Sequence, residues 1–165
     1  MKAKTDQKKE LTTMTTEVFH FRESEKVLRD RKMDKALEET IEYVESVLYG
    51  STGHGELLKQ ALKDMGWRDE GVNLTFIDNR RFKYKGFKER IAIEGSFDYY
   101  EYLLEGLFRL QVGFDKGKID GGVLCLRKPK NLYNGEILPI IVKSDVEALY
   151  PTISLPVTIA LFELT

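Results

Sequence analysis

Arg90-Ile91-Ala92-Ile93-Glu94-Gly95-Ser96-Phe97 sets a single carboxylate among apolar neighbours in a stretch of strand composition. Side chains alternate along a strand, so Glu94 and Ser96 project from the same face. Directly after it, Asp98-Tyr99-Tyr100-Glu101 has the form of a capping box. Tyr99, Tyr100, Leu103, Leu104, Leu107, Phe108 and Gln111 then continue a helix to about Val112, where Gly113 stops it. A turn over 115–122 feeds Val123-Leu124-Cys125-Leu126, whose unalternated apolarity predicts a strand buried on both faces. Strand, helix, strand in that order predicts a crossover and a parallel pair.

Upstream, Val72 to Ile77, Arg81 to Lys85 and Lys88 to Phe97 have extended composition, separated by Asn79-Arg80 and by Gly86-Phe87. Such short connections predict antiparallel neighbours. Before them, His54 to Met65 is an amphipathic helix with Leu57, Leu58, Ala61, Leu62 and Met65 on one face, Gly66 ending it and Trp67 packed beneath. From His54 to Arg127 the order is therefore α, β, β, β, α, β. A further helix, Asp34 to Tyr49, repeats Leu37, Ile41, Val44 and Leu48 at helical spacing, with Asp34 as N-cap and Gly50 after its end. A short strand is expected at 17–22, a helix from about Ser144 to Tyr150 stopped by Pro151, and a last strand from Pro156 to Leu164.

Composition narrows the class. With 42% apolar and 32% charged residues, the chain is too apolar for disorder and too interrupted by charge for a membrane span. Its 165 residues suit one core, so residues 1–16 are expected as a loose arm and 17–165 as a single domain. No export signal follows the basic start, which implies a cytoplasmic protein. Cys125 is the only cysteine, which excludes a disulfide framework and cysteine-rich metal sites. His20 and His54 share no ligand spacing with other candidates, so zinc is not suggested. A net charge of −1 gives no global attraction to nucleic acid, and any such binding needs a local patch. One exists: Arg81, Lys83 and Lys85 alternate onto one face between Phe82 and Tyr84, a pattern able to track a phosphate backbone or simply a solvated hairpin edge.

Three stretches together resemble a known group. Residues 89–97, then the helix from Tyr99 to Gln111, then Lys116-Gly117-Lys118-Ile119-Asp120-Gly121-Gly122-Val123 are similar in order to the BglII and BstYI group of type II restriction endonucleases. The helix ending Met65-Gly66-Trp67 and the late strand at Pro156 extend the similarity to about 110 residues. The resemblance implies an α/β protein with a restriction-endonuclease-like αβββαβ core, a mixed central sheet flanked by helices, of the PD-(D/E)xK superfamily. It also implies a type II site-specific deoxyribonuclease that hydrolyses phosphodiester bonds with Mg²⁺, partners DNA, and acts as a homodimer, the surplus of Tyr99, Tyr100, Tyr102 and Phe108 on one helix serving the interface.

Two of three site positions depart from the group. Its catalytic aspartate falls on Lys85, and its Glu-x-Gln reads Glu94-Gly95-Ser96. An ammonium at a ligand position opposes Mg²⁺, and a hydroxyl is a weaker substitute for an amide or lysine. If Gly86-Phe87 is the tight turn of a long hairpin, position 79 faces Glu94 and brings Asp78 beside it, so Asp78 and Glu94 are the expected metal ligands with Ser96 as the third catalytic residue. The alternative is a degenerate nuclease-fold module, binding nucleic acid or a protein partner, with Lys85 beside Glu94. Ser96 also competes with Asp98 for a capping role, and Glu56 could approach from the preceding helix.

Overall fold

The computed structural model describes residues 15–67, 74–77, 80–129 and 138–164. In chain order they form β1 (Glu17–Phe21), α1 (Ser24–Asp30), α2 (Asp34–Leu48), α3 (His54–Asp64), β2 (Leu74–Ile77), β3 (Arg80–Phe82), β4 (Gly86–Lys88), β5 (Ile91–Ser96), α4 (Tyr102–Asp115), β6 (Gly121–Arg127), α5 (Leu138–Ala148) and β7 (Val157–Phe162). Of the arm expected at 1–16, residues 1–14 lie outside these residues, and Thr15 and Thr16 are held, both main-chain N–H groups donating to Glu45 Oε1 at 2.9 and 3.1 Å.

Five strands make a mixed sheet in the order β1-β7-β6-β5-β4. The middle three are parallel, with Ile91 opposite Gly121 through Ser96 opposite Leu126, and Gly122 opposite Val157 through Arg127 opposite Phe162. Both flanking strands, β1 and β4, run antiparallel to their neighbours. The pair β5 and β6 joined by α4 is the crossover unit that the sequence predicts. Alternation sorts the sheet's side chains into two cores. Ile91, Ile93, Val123, Cys125 and Phe162 meet α1, α2 and α3 on one face, while Leu124, Leu126, Ile159 and Leu161 meet α4 and α5 on the other.

Close approach of α4 to β6 sets where the N-terminal turn of α4 stands. A Cβ on Gly106 would lie 2.4 Å from Leu124 Cδ1, so glycine lets the helix settle onto the strand without displacing the Leu124 side chain. On the opposite face, Trp67 is fully buried below the end of α3 and its indole donates to Thr40 Oγ1 at 2.7 Å.

Several local expectations need correction. Gly86-Phe87 is not a turn: Gly86 pairs with Ile93, Phe87 with Ala92 and Lys88 with Ile91. The reversal falls at Glu89-Arg90, whose φ values of 50° and 64° are those of a two-residue hairpin turn matched to strand twist. Gly86 is glycine because of crowding, since a Cβ there would come within 3.1 to 3.3 Å of Leu62, Trp67 and Ile93. The extended stretch therefore divides: β2 and β3 form a separate two-stranded sheet, and only β4 and β5 join the main one. The helix after Glu94 begins at Tyr102 with no side-chain cap and runs through Gly113 to Asp115, so the capping box at 98–101 does not form. Met33, not Asp34, is the N-cap of α2. Helix α1 has no counterpart in the sequence reading, because its seven residues hold only Val27 and Leu28 as apolar anchors.

Candidate active site

Continuing the β4–β5 register by one residue sets position 85 opposite Glu94. Glu94 lies on the α4 face of β5 and is 1% exposed. Its Oε1 accepts the main-chain N–H of Lys85 at 3.2 Å, and its Oε2 accepts the Tyr102 hydroxyl at 3.3 Å from the first turn of α4. The Lys85 ammonium donates to the carbonyl of Gly95, the next residue along β5. One lysine thus bonds both the carboxylate and the adjoining carbonyl.

Burial raises the Glu94 carboxyl above the ordinary range, opposed by the charges of Lys85 and Arg109 and by its two hydrogen bonds. Burial likewise lowers the Lys85 ammonium, with Glu94 opposing and Lys59 and Arg109 adding to the fall. The Tyr102 phenol is pushed up to about 12, first by burial and then by the Glu94 charge. Tyr84, whose hydroxyl donates to the Arg109 carbonyl at 2.9 Å, is raised for the same two reasons. The site is a desolvated carboxylate ringed by two cations and two phenols.

The structure brings Lys85 to Glu94, and the turn that would have carried Asp78 there is absent. Asp78 itself lies outside the described residues, in the connection between β2 and β3. Ser96 is half-buried and its hydroxyl lies 3.5 Å from both the Asp98 carboxylate and the Asp98 N–H, a turn contact rather than one with Glu94. Of the expected nucleic-acid residues, Lys83 is exposed, Lys85 is half-buried at the site, and the Arg81 side chain is outside the described part. Glu56 turns outward, 86% exposed, and pairs with Lys59 at 3.2 Å.

Tyr102 is the residue that sequence reading assigned elsewhere. Counted there among surplus aromatics for an interface, it is buried against Glu94, and Tyr100 is likewise engaged, donating to Asp145 at 2.8 Å.

The resemblance implies Mg²⁺, and the described residues do not fit it. Among them no three His, Cys, Asp or Glu gather around one point. Among the described residues Glu94 is the one carboxylate at the site, both its oxygens accept hydrogen bonds, and the neighbouring charges are cations. Hard divalent ions need several oxygen ligands and a net negative cage.

No protein-family model matches the chain, and no curated protein does. Solved structures do. The crystal structure of the restriction endonuclease BglII complexed with a DNA 16-mer superimposes with a TM-score of 0.62 at 14% identity, covering 90% of this chain and 76% of that one. Free BglII gives 0.55 at 16% identity, over 91% of this chain and 80% of that one. The fold is restriction-endonuclease-like: a mixed α/β sheet flanked by helices.

Proposed function

We propose that this protein engages DNA on its nuclease-like fold in the cytoplasm, and that it does so without metal-dependent hydrolysis at Glu94. The observation that carries this reading is Lys85, whose amide and ammonium occupy the Glu94 carboxylate and the Gly95 carbonyl. A fold shared with a DNA-bound endonuclease supports the choice of ligand, and Lys85 with the nearby charges of Lys59 and Arg109, together with the exposed Lys83, supplies local positive charge that the net charge of −1 does not. No helix among the described residues is long and apolar enough to cross a membrane.

A second reading is Mg²⁺-dependent DNA endonuclease activity, with Asp78 and Glu94 as ligands and Ser96 beside them. It is favoured by the retention of a buried carboxylate with raised proton affinity on the strand ahead of the crossover helix. In either reading we propose a homodimer built on α4, where Leu104 and Phe108 are 59% and 62% exposed one turn apart.

The test combines gel-shift and nicking assays on duplex DNA. The first reading expects binding in EDTA that weakens steeply with salt, and no nicking in Mg²⁺ or Mn²⁺. Nicking that disappears in both Glu94→Ala and Asp78→Ala, with folding intact, establishes the second. Light scattering that reports a monomer at high micromolar concentration removes the dimer.

A further inference from the structure

We infer that Lys85 is the resident cation of this site: its main-chain N–H holds the Glu94 carboxylate and its ammonium holds the adjoining Gly95 carbonyl, the two oxygen groups a divalent ion would need, and together they keep such ions out. The inference deepens the non-cleaving reading above and rests on it for the role of the site, while its own test does not use DNA.

The oxygens present are of the right kind for a hard cation, a carboxylate and an adjoining main-chain carbonyl. Each is already taken by the same residue. Lys85 N–H reaches Glu94 Oε1 at 3.2 Å and Lys85 Nζ reaches Gly95 O. The other carboxylate oxygen takes the Tyr102 hydroxyl at 3.3 Å. A divalent ion entering here must break these contacts and then sit beside an ammonium, with the Arg109 charge also acting on Glu94.

Tethering decides the competition. Gly86 is locked against Ile93 in the sheet, which fixes the Lys85 backbone opposite Glu94 and holds the ammonium at high local concentration over the carbonyl. A free ion at cellular concentration has no such advantage. The ammonium also offsets the desolvated charge of Glu94, so it does electrostatically for the fold what a bound metal would do, without the Lewis acidity that polarises a phosphate. Binding of an anionic ligand by this protein is therefore independent of divalent ions.

The experiment is a Mn²⁺ titration of the full-length protein, read by the paramagnetic resonance signal of the free ion, in wild type, Lys85→Asp, Lys85→Met and the double variant Lys85→Asp with Glu94→Gln. Wild type should leave Mn²⁺ free up to millimolar concentration. Lys85→Asp should bind it at least about tenfold more tightly than wild type, and the double variant should lose that gain. Lys85→Met, which removes the ammonium without adding a carboxylate, should show a smaller gain and serves if Lys85→Asp does not fold. Wild-type Mn²⁺ binding at micromolar concentration would overturn the inference, as would a folded Lys85→Asp or Lys85→Met that binds no better than wild type. DNA binding, measured separately in EDTA, keeps the two readings apart. A protein that binds no DNA yet gains Mn²⁺ on Lys85→Asp loses only the DNA reading, and the reverse pattern loses only this one.

Discussion

Glu94 and Asp120 belong to the same strand-helix-strand unit, near opposite ends of its parallel strands, and they meet opposite fates. Asp120, just before β6, is 29% exposed on its side chain and is clamped by two guanidinium groups. Arg90 donates to it at 3.0 and 3.1 Å and also to the Gly117 carbonyl at 2.7 Å, and Arg31 at the end of α1 adds a further bond. Hydrogen bonding and charge from Arg90, with the Arg31 charge, hold the Asp120 carboxyl below the ordinary range. Glu94 has the reverse balance: burial dominates and its carboxyl is raised. The contrast teaches how to separate a structural acid from a candidate functional one. Asp120 ties the β4–β5 turn, α1 and the α4–β6 turn together, and its charge stabilises the fold. Glu94 is an ionisable group that the fold tolerates at a cost, which is the mark of a site kept for something other than stability.

The largest expected effect comes from crowding β5 against β6 and α3, on the sheet face opposite Glu94. A Cβ on Gly95 would lie 2.8 Å from the Cys125 carbonyl oxygen and 3.1 Å from Leu58, and main-chain oxygen cannot retreat as a side chain can. Gly95→Val should therefore cost about 2–3 kcal/mol by overpacking between β5 and β6, read as a lower urea midpoint. A midpoint unchanged within error would mean that β5 and β6 do not need glycine at position 95 to seat this closely.

How much of this contrast was legible in the sequence differs between the two ends. Residues 90–127 gave the parallel pair and its crossover helix, because an unalternated apolar strand and a helix of clear periodicity leave few ways to fold. Glu94 was found because a carboxylate inside Ile-Ala-Ile-Glu has no polar partner nearby in sequence. Of its partners, Lys85 was legible from the alignment with the group's aspartate, whereas the hairpin that seats it and the Tyr102 hydroxyl were not. The hairpin turn at Glu89-Arg90 uses no glycine or asparagine, so Gly86 drew the turn to itself, although Gly86 is small for packing against Leu62 and Trp67. Tyr102 was mistaken for interface surface because helical periodicity does not say which strand end a first turn faces. Asp120 was read as a turn residue; its two guanidinium partners come from segments thirty and eighty-nine residues away, a separation that local pattern does not register.

The next effect sharpens the Asp120 side. Asp120→Asn keeps the shape and removes the charge, leaving Arg31 and Arg90 without their anion, and should cost about 1–2 kcal/mol at neutral pH. Because the folded Asp120 carboxyl lies below its ordinary value of 3.8, its contribution is complete above that pH and is lost as pH falls through the depressed value. Stability curves of wild type and Asp120→Asn should converge in strong acid. Parallel curves across the acid range would show that the clamp acts through shape and not charge.

The smallest effect has the opposite sign and tests the other half of the contrast. Glu94→Gln keeps the acceptor for the Lys85 N–H and a group that can meet the Tyr102 hydroxyl, while removing the ionisable proton. Below the ordinary carboxyl value of 4.5, Glu94 is neutral in both the folded and unfolded chain, so wild type and variant should be equally stable. As pH rises through the raised folded value, the unfolded chain gives up its proton more readily than the folded one, and wild type loses stability that the glutamine variant keeps. The variant should therefore become the more stable protein at neutral and alkaline pH, by an amount limited by the Lys85 ammonium, which loses its counter-charge in the exchange. Urea denaturation at pH 4, 6 and 8 measures this directly. A variant less stable than wild type at pH 8 would mean that the ammonium-carboxylate pair outweighs desolvation, and would move Glu94 into the same structural class as Asp120.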